Sequence, residues 1–305
     1  MRADGDGLVG YLMVLAAAAL WGSLGIAVRF LDAAGVGAFE ASAWRAGLAC
    51  AGAVALAWAR GRSVRITARD LPLFAAYGLV SIAIFFVTYF TAITLTTVAT
   101  AAILLYTAPA WVIALSAILF GEDLSGPKLA ALALAFVGCA LVVRVYDPAA
   151  LRLNLPGVAA GLGAGLTYGL YSIFGKHALR RHDPLVILVY ALGFGTIFLV
   201  AGGLLAGVPA GRFVPAHVLR APLALLYLAL ITTLAAQWLY VGGLARIEAG
   251  RASVVATFEP VVAGLLGYVF FGEVLDRPQL LGGVLVLSAV FLVRSQAVAG
   301  RTVRR

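Results

Sequence analysis

Ten apolar runs, each about 18 to 25 residues long and parted by short charged or Pro/Gly-bearing connectors, constrain this chain more than any motif in it. A helix rises 1.5 Å per residue, so roughly 20 apolar residues cross the hydrocarbon of a bilayer. Backbone groups in lipid must be satisfied within the protein, which leaves helices or closed barrels. The runs lack period-two alternation, and that selects helices. The expected spans are Leu8–Phe30, Phe39–Trp58, Leu71–Leu95, Val98–Phe120 and Lys128–Val145, then Pro156–His177, Pro184–Ala206, Ala221–Leu244, Ala252–Phe271 and Pro278–Val298. The break between the third and fourth, at Thr94, Thr96 and Thr97, is only mildly polar. The first run is too long for a signal-peptide core and reads as a retained span.

Composition closes the alternatives. Hydrophobic residues make up 63% of the chain and charged ones 11%, against about 25% charged in a soluble domain. The formal charge of +9 does not point to nucleic acid, because the basic residues punctuate the runs and form no basic domain. Arg2, Arg60, Arg62, Arg65, Arg69, Lys128, Lys176, Arg180, Arg181, Arg246, Arg251, Arg294, Arg301, Arg304 and Arg305 share one side of the membrane on this reading. Arg29, Arg144, Arg152, Arg212, Arg220 and Arg277 lie on the other. The positive-inside bias then puts both termini in the cytoplasm of a bacterial-type inner membrane. Cys50 and Cys139 lie inside apolar runs and read as small packing residues. His177, His182 and His217 lack metal-ligand spacing, so no metal and no cofactor is expected. No Gly-x-x-x-x-Gly-Lys motif appears, which excludes direct drive by ATP.

The chain repeats itself. At an offset of 151 residues Pro109 falls on Pro260, Phe120-Gly121-Glu122 on Phe271-Gly272-Glu273, Pro127 on Pro278 and Tyr89 on Tyr240. At a slightly shorter offset Trp21-Gly22 meets Tyr168-Gly169 and Arg29 meets Lys176. The expected units are residues 1–150 and 151–305, with five spans each. Five is odd, so the second unit must enter the membrane from the opposite side. The expected fold is an all-α membrane protein of ten helices in two inverted repeats around a central cavity. Secondary transporters are typically built this way, with substrate near the midplane and alternating access.

Trp21-Gly22, Arg45, Ala108-Pro109, Gly121-Glu122, Glu259-Pro260 and Gly272-Glu273 together resemble the EamA family of the drug/metabolite transporter superfamily, over nearly the whole chain. The resemblance implies a basket-like bundle around a central cavity and export of amino acids or other metabolites. Within the family the chain looks most like bacterial exporters of aromatic and other hydrophobic amino acids.

Residues aligned between inverted repeats face each other, so Trp21 with Tyr168 and Tyr89 with Tyr240 are candidate cavity walls for a flat apolar substrate. Anchoring at the membrane interface is the competing reading. Tyr106, Trp111, Tyr171, Gln237 and Trp238 are further candidates for substrate contact. Glu259 lies about eight residues into an apolar run, where a carboxylate costs about 2.5–3.5 kcal/mol. It would bind an ammonium group or carry a coupling proton, or else, protonated, bond a carbonyl freed by Pro260. Arg45 is expected to snorkel or to pair with Glu40. Glu122 and Glu273 are expected to cap or pair locally. Pro109 and Pro260 are candidate hinges, or static kinks. Gly157, Gly161, Gly165 and Gly169 form a smooth packing strip.

The function expected is secondary export of small metabolites, aromatic amino acids being the sharpest choice. The partners are then a small-molecule substrate and the lipid bilayer, with a homodimer left open. A multidrug or cation exporter is the rival and would favour Glu259 facing the cavity. An intramembrane enzyme would need paired catalytic groups at midplane depth, and Glu259 stands alone there.

Overall fold

The structure, a computed structural model, describes residues 2–149, 151 and 153–302, with side chains except at 2–5, 217 and 296–302. Of the residues weighed above, Arg152, Arg304 and Arg305, and the side chains of Arg2, His217 and Arg301, lie outside the described residues. Among the described residues the chain is helical, with no strand. In chain order the long elements are α1 (Asp6–Ala33), α2 (Ala38–Ala59), α3 (Leu71–Leu95), α4 (Val98–Phe120) and α5 (Gly126–Val142). There follow α6 (Leu155–Ala178), α7 (Pro184–Leu205), α8 (Pro222–Leu244), α9 (Ala249–Phe271) and α10 (Arg277–Ser295).

The sequence predicts ten spans, and among the described residues eight helices are long and apolar enough to cross a membrane. The remaining two are α2 and α5. Helix α2 has 22 residues but carries Glu40 and Arg45, while α5 has 17 residues and reaches about 25 Å. Side chains such as Ile118, Leu205 and Phe291 stand exposed along these helices, as lipid-facing residues would.

Local chemistry sets the helix ends. The Thr97, Asn154 and Asp183 side chains accept from the backbone N–H groups of Thr100, Gly157 and Leu185, satisfying amides that a helix start leaves unpaired. The mildly polar threonines between α3 and α4 are thus a real break. Helices α4 and α9 both stop at a left-handed glycine, Gly121 at φ 69° and Gly272 at φ 68°, a conformation that costs glycine nothing.

Among the described residues five spans are interrupted inside, α1 by a single residue at Ser23. Wide π-helical turns occupy Leu79–Ile84 in α3 and Tyr227–Ala235 in α8. Helix α4 breaks at Tyr106-Thr107 and resumes at Ala108, and α9 breaks at Thr257-Phe258 and resumes at Glu259. Pro109 and Pro260 therefore occupy the first turn of a second helical segment, where a missing N–H costs little. They are junctions within a span rather than kinks of a continuous helix.

Close packing follows small residues. A Cβ on Gly138 would lie 2.8 Å from the Gly282 carbonyl oxygen, which locks α5 onto α10. The Cys50 thiol donates to the Val189 carbonyl, and Gly47 lies against Thr196, which joins α2 to α7. Gly161, Gly165 and Gly169 press on Leu104, Thr107 and Ala108 respectively, so the glycine strip of α6 rides along α4 across its break. Both cysteines are free.

Candidate functional site

The internal breaks of α4 and α9 bring their short segments against α1, α6 and α8 at the centre of the bundle. Trp21, Tyr106, Tyr168, Tyr171 and Tyr240 surround a small cavity there, together with Pro109, Ser172, Ser253, Thr257 and Glu259. The Trp21 ring meets Tyr168 edge-on with centroids 6.5 Å apart, and it lies 5.1 Å from Tyr240. Tyr240 shares a 2.7 Å hydrogen bond with Ser172, which fixes one wall. Gly22 makes the close approach possible, since a Cβ there would stand 2.7 Å from the Glu259 carbonyl oxygen.

Glu259 has the aromatic wall as its neighbour. The Tyr168 hydroxyl donates to its Oε2 at 3.4 Å, a long contact. The carboxylate makes no bond to a backbone carbonyl near Pro260 among the described residues. No lysine or arginine lines this cavity, so its one formal charge is negative. The chemistry on offer is an anionic pole, hydroxyl groups and aromatic faces, which suits an ammonium group or other organic cation on an apolar body. At about 20 Å³ the cavity holds roughly one water. The structure is therefore contracted around the site, and a larger occupant requires the walls to part.

Four residues expected at the site lie elsewhere. Tyr89 stacks on Phe85 one turn away, with centroids 5.9 Å apart, and is not in the lining. Trp111 is exposed, because it points about 100° around the helix from the lining residue Val112. Trp238 is two residues from Tyr240, hence about 160° away on the helix. Its ring instead takes the Arg60 guanidinium at 4.6 Å, in a separate space lined also by Asp6, Arg62, Asp183 and Arg246. Gln237 also lies outside the lining, with its side-chain oxygen buried and unpartnered.

Conversely, Ser172, Ser253 and Thr257 line the cavity and were not singled out by the sequence. Helical spacing carries a signal for one of them, since Ser172 stands one turn after Tyr168.

The expected Arg45–Glu40 pair does not form. Residues five apart point about 140° away from each other around a helix, and Glu40 is taken by Arg212 at 2.5 Å. His182 lies 3.4 Å from Asp70 and edge-on to Phe74.

Ion pairs stand at both ends of the bundle. At one end Glu122 accepts from the N–H groups of Ala249 (2.6 Å) and Gly250 (3.0 Å). Lys128 stands 3.8 Å from Glu122 and 2.9 Å from Glu248, and Lys176 donates to the carbonyls of Leu244 and Ile247. At the other end Arg29 pairs with Glu273 and covers the Phe271 ring, and Asp276 accepts from Arg144 and Tyr146.

Comparison with known proteins agrees with this architecture. A solved crystal structure superimposes with a TM-score of 0.79 at 20% identity, covering 96% of this chain and 98% of that one. An uncharacterized transporter of Archaeoglobus fulgidus is 35% identical over 67% of this chain and 70% of its own length. A probable terminal-alkyne amino-acid exporter of Streptantibioticus cattleyicolor is 29% identical over 78% and 77%. The threonine/homoserine exporter RhtA of Escherichia coli is 29% identical over 45% of each chain. The EamA-like transporter family matches residues 8–144 and 155–295, nearly the whole chain, and this multi-pass membrane protein belongs to that family.

Proposed function

We propose that this chain is a secondary transporter exporting small metabolites that carry an ammonium group on an apolar body, aromatic and other hydrophobic amino acids foremost. The observation that carries this reading is Glu259, a lone carboxylate inside a span, facing a cavity walled by Trp21 and four tyrosines. A carboxylate in hydrocarbon is costly, and the usual reason for keeping one is ligand or ion traffic. Aromatic faces add cation–π and stacking attraction for such a substrate. The amino-acid exporters among the relatives favour the same class.

Alternating access between two inverted five-helix halves, residues 1–150 and 151–305, fits the pattern of internal breaks. The interruptions before Pro109 and Pro260 and the left-handed ends at Gly121 and Gly272 recur at one offset. The contact of Gly169 with the Ala108 carbonyl matches that of Gly22 with Glu259. On this reading the two breaks are the hinges, α2 and α5 are spans, and both termini lie in the cytoplasm.

The rival within the superfamily is a multidrug or cation exporter, and the cavity-facing carboxylate favours it equally. Uptake of labelled Phe, Trp, Thr and Leu into proteoliposomes, with and without a pH gradient, separates the two. Saturable uptake of Phe or Trp is expected, with Glu259→Gln cutting it on the order of tenfold or more. Absence of uptake for all four amino acids, with transport of a lipophilic ammonium instead, would overturn the amino-acid assignment.

A further inference from the structure

The two ends of the bundle carry matching parts in different states. Glu122 and Glu273 are related by the 151-residue offset, as are Phe120 and Phe271. Lys176 corresponds to Arg29 at the shorter offset. An arginine stands over each phenylalanine, Arg180 over Phe120 at 5.2 Å and Arg29 over Phe271 at 3.8 Å. Glu122 is 7% exposed, sits against the buried Lys128 and holds the first two amides of α9. Glu273 is 51% exposed and, among the described residues, pairs with Arg29, itself 54% exposed.

By the same offset, the amides matching Ala249 and Gly250 belong to Val98 and Ala99, at the start of α4. Among the described residues those two have no acceptor comparable to Glu122. Lys128 has no charged counterpart either, since the offset puts Gln279 in its place. Gln279 donates to the Val142 carbonyl. One end is thus sealed by a buried charged network, while the other carries only an exposed pair, which water screens.

We propose that Glu122 and Glu273 are reciprocal gate residues. Each caps the N-terminal amides of the partner helix, α9 or α4, when its own end is shut. This rests on the alternating-access reading above. In the state described, Glu122 caps α9 and closes the end that the positive-inside bias assigns to the cytoplasm. In the opposite state Glu122 lets go, and Glu273 leaves Arg29 to take the Val98 and Ala99 amides. The extra lysine at position 128 makes the outward-facing state the resting one. The exported molecule must then break the Glu122 network to be loaded.

The test reads gate position without any substrate, so its result is independent of whether the amino-acid assignment stands. A reporter Ser253→Cys is placed in the cavity of a Cys50→Ala, Cys139→Ala chain. It is labelled by a membrane-impermeant maleimide in inside-out and right-side-out vesicles. Glu122→Gln and Lys128→Gln are expected to raise labelling from the cytoplasmic side on the order of tenfold, as for losing hydrogen bonds to one charged group. Glu273→Gln, which removes the outer cap, is expected to raise labelling from the outer side, whereas Arg29→Gln, which frees Glu273 to cap α4, is expected to lower it. Lys128→Gln copies the residue at the matching position, and Arg29 is exposed, so this pair decides the matter should either glutamate variant fail to fold. Unchanged labelling in that pair, or a rise in outer-side labelling with Arg29→Gln, would overturn the proposal.

Discussion

Individual residues in this protein are held by steric and electrostatic demands that can be tested one at a time. Gly22 and Gly169 permit α1 and α6 to touch backbone oxygens of Glu259 and Ala108. Gly22→Val should therefore cost about 1–3 kcal/mol of stability through overpacking and abolish transport by moving Glu259, read by thermal unfolding in detergent and by uptake.

Arg45 presents the opposite case. Its expected partner is engaged by Arg212, and it makes no ion pair among the described residues. On the proposed reading of α2 as a span, replacing this cation by an apolar side chain of similar length removes a cost of about 2.5–3.5 kcal/mol at mid-membrane depth. Arg45→Met is expected to raise the thermal midpoint. A lower midpoint would mean that Arg45 stabilises the fold.

Asp70 supplies a pH signature. Hydrogen bonds from the Thr67 side chain and backbone, then its contact with His182, hold its carboxyl below the usual aspartate value. A depressed carboxylate stabilises the fold above its unfolded pKa, and that gain is lost as pH falls through the folded pKa. The stability difference between wild type and Asp70→Asn should thus be present at pH 7, begin to shrink below about pH 4 and vanish only below the lowered folded pKa. A difference that does not shrink as pH falls below about 4 contradicts this origin.

Among the elements, the interrupted spans matter most. A continuous helix presents one face to its neighbours, whereas α4 and α9 change direction before Pro109 and Pro260 and bring both segments to the cavity. The wide turns of α3 and α8 add local slack, and such π-type turns are often found at functional sites. Helix α6 follows the broken α4 because its glycines admit Leu104 and Thr107 into direct contact. Gly161→Leu is expected to force α6 from α4 and lower stability by about 1–3 kcal/mol. The same change at Gly202, which has open space around it, should be nearly neutral. Equal losses at both positions would show that the strip does not set the helix spacing.

For the whole molecule, the contracted cavity and the unequal ends belong together. The cavity is too small for an amino acid, so transport requires a rearrangement of the bundle and not merely of side chains. The fixed α5–α10 and α2–α7 contacts would let α1, α4, α6 and α9 move against a stable frame. An even number of spans requires both termini on one side. Epitope tags at the N- and C-termini should be reached from the same face of vesicles, and tags on opposite faces would dissolve the two-half reading.

Much of this was legible in the amino acids alone, because hydrocarbon enforces a length and a polarity on every span. The helical class, most helix limits, the positions of Pro109 and Pro260 and the choice of Trp21, Tyr168, Tyr240 and Glu259, which share one cavity lining, follow from linear patterns. Side-chain direction does not. Tyr89, Trp111, Gln237 and Trp238 share the composition expected of a cavity wall, but rotation about their helices points them elsewhere, and Ser253 and Thr257 enter the site through the break in α9. The partners of Glu40 and Glu122 come from distant segments, Arg212 and the start of α9. Only tertiary packing could bring them together, since ion pairs and caps depend on distances in space that spacing along the chain does not encode.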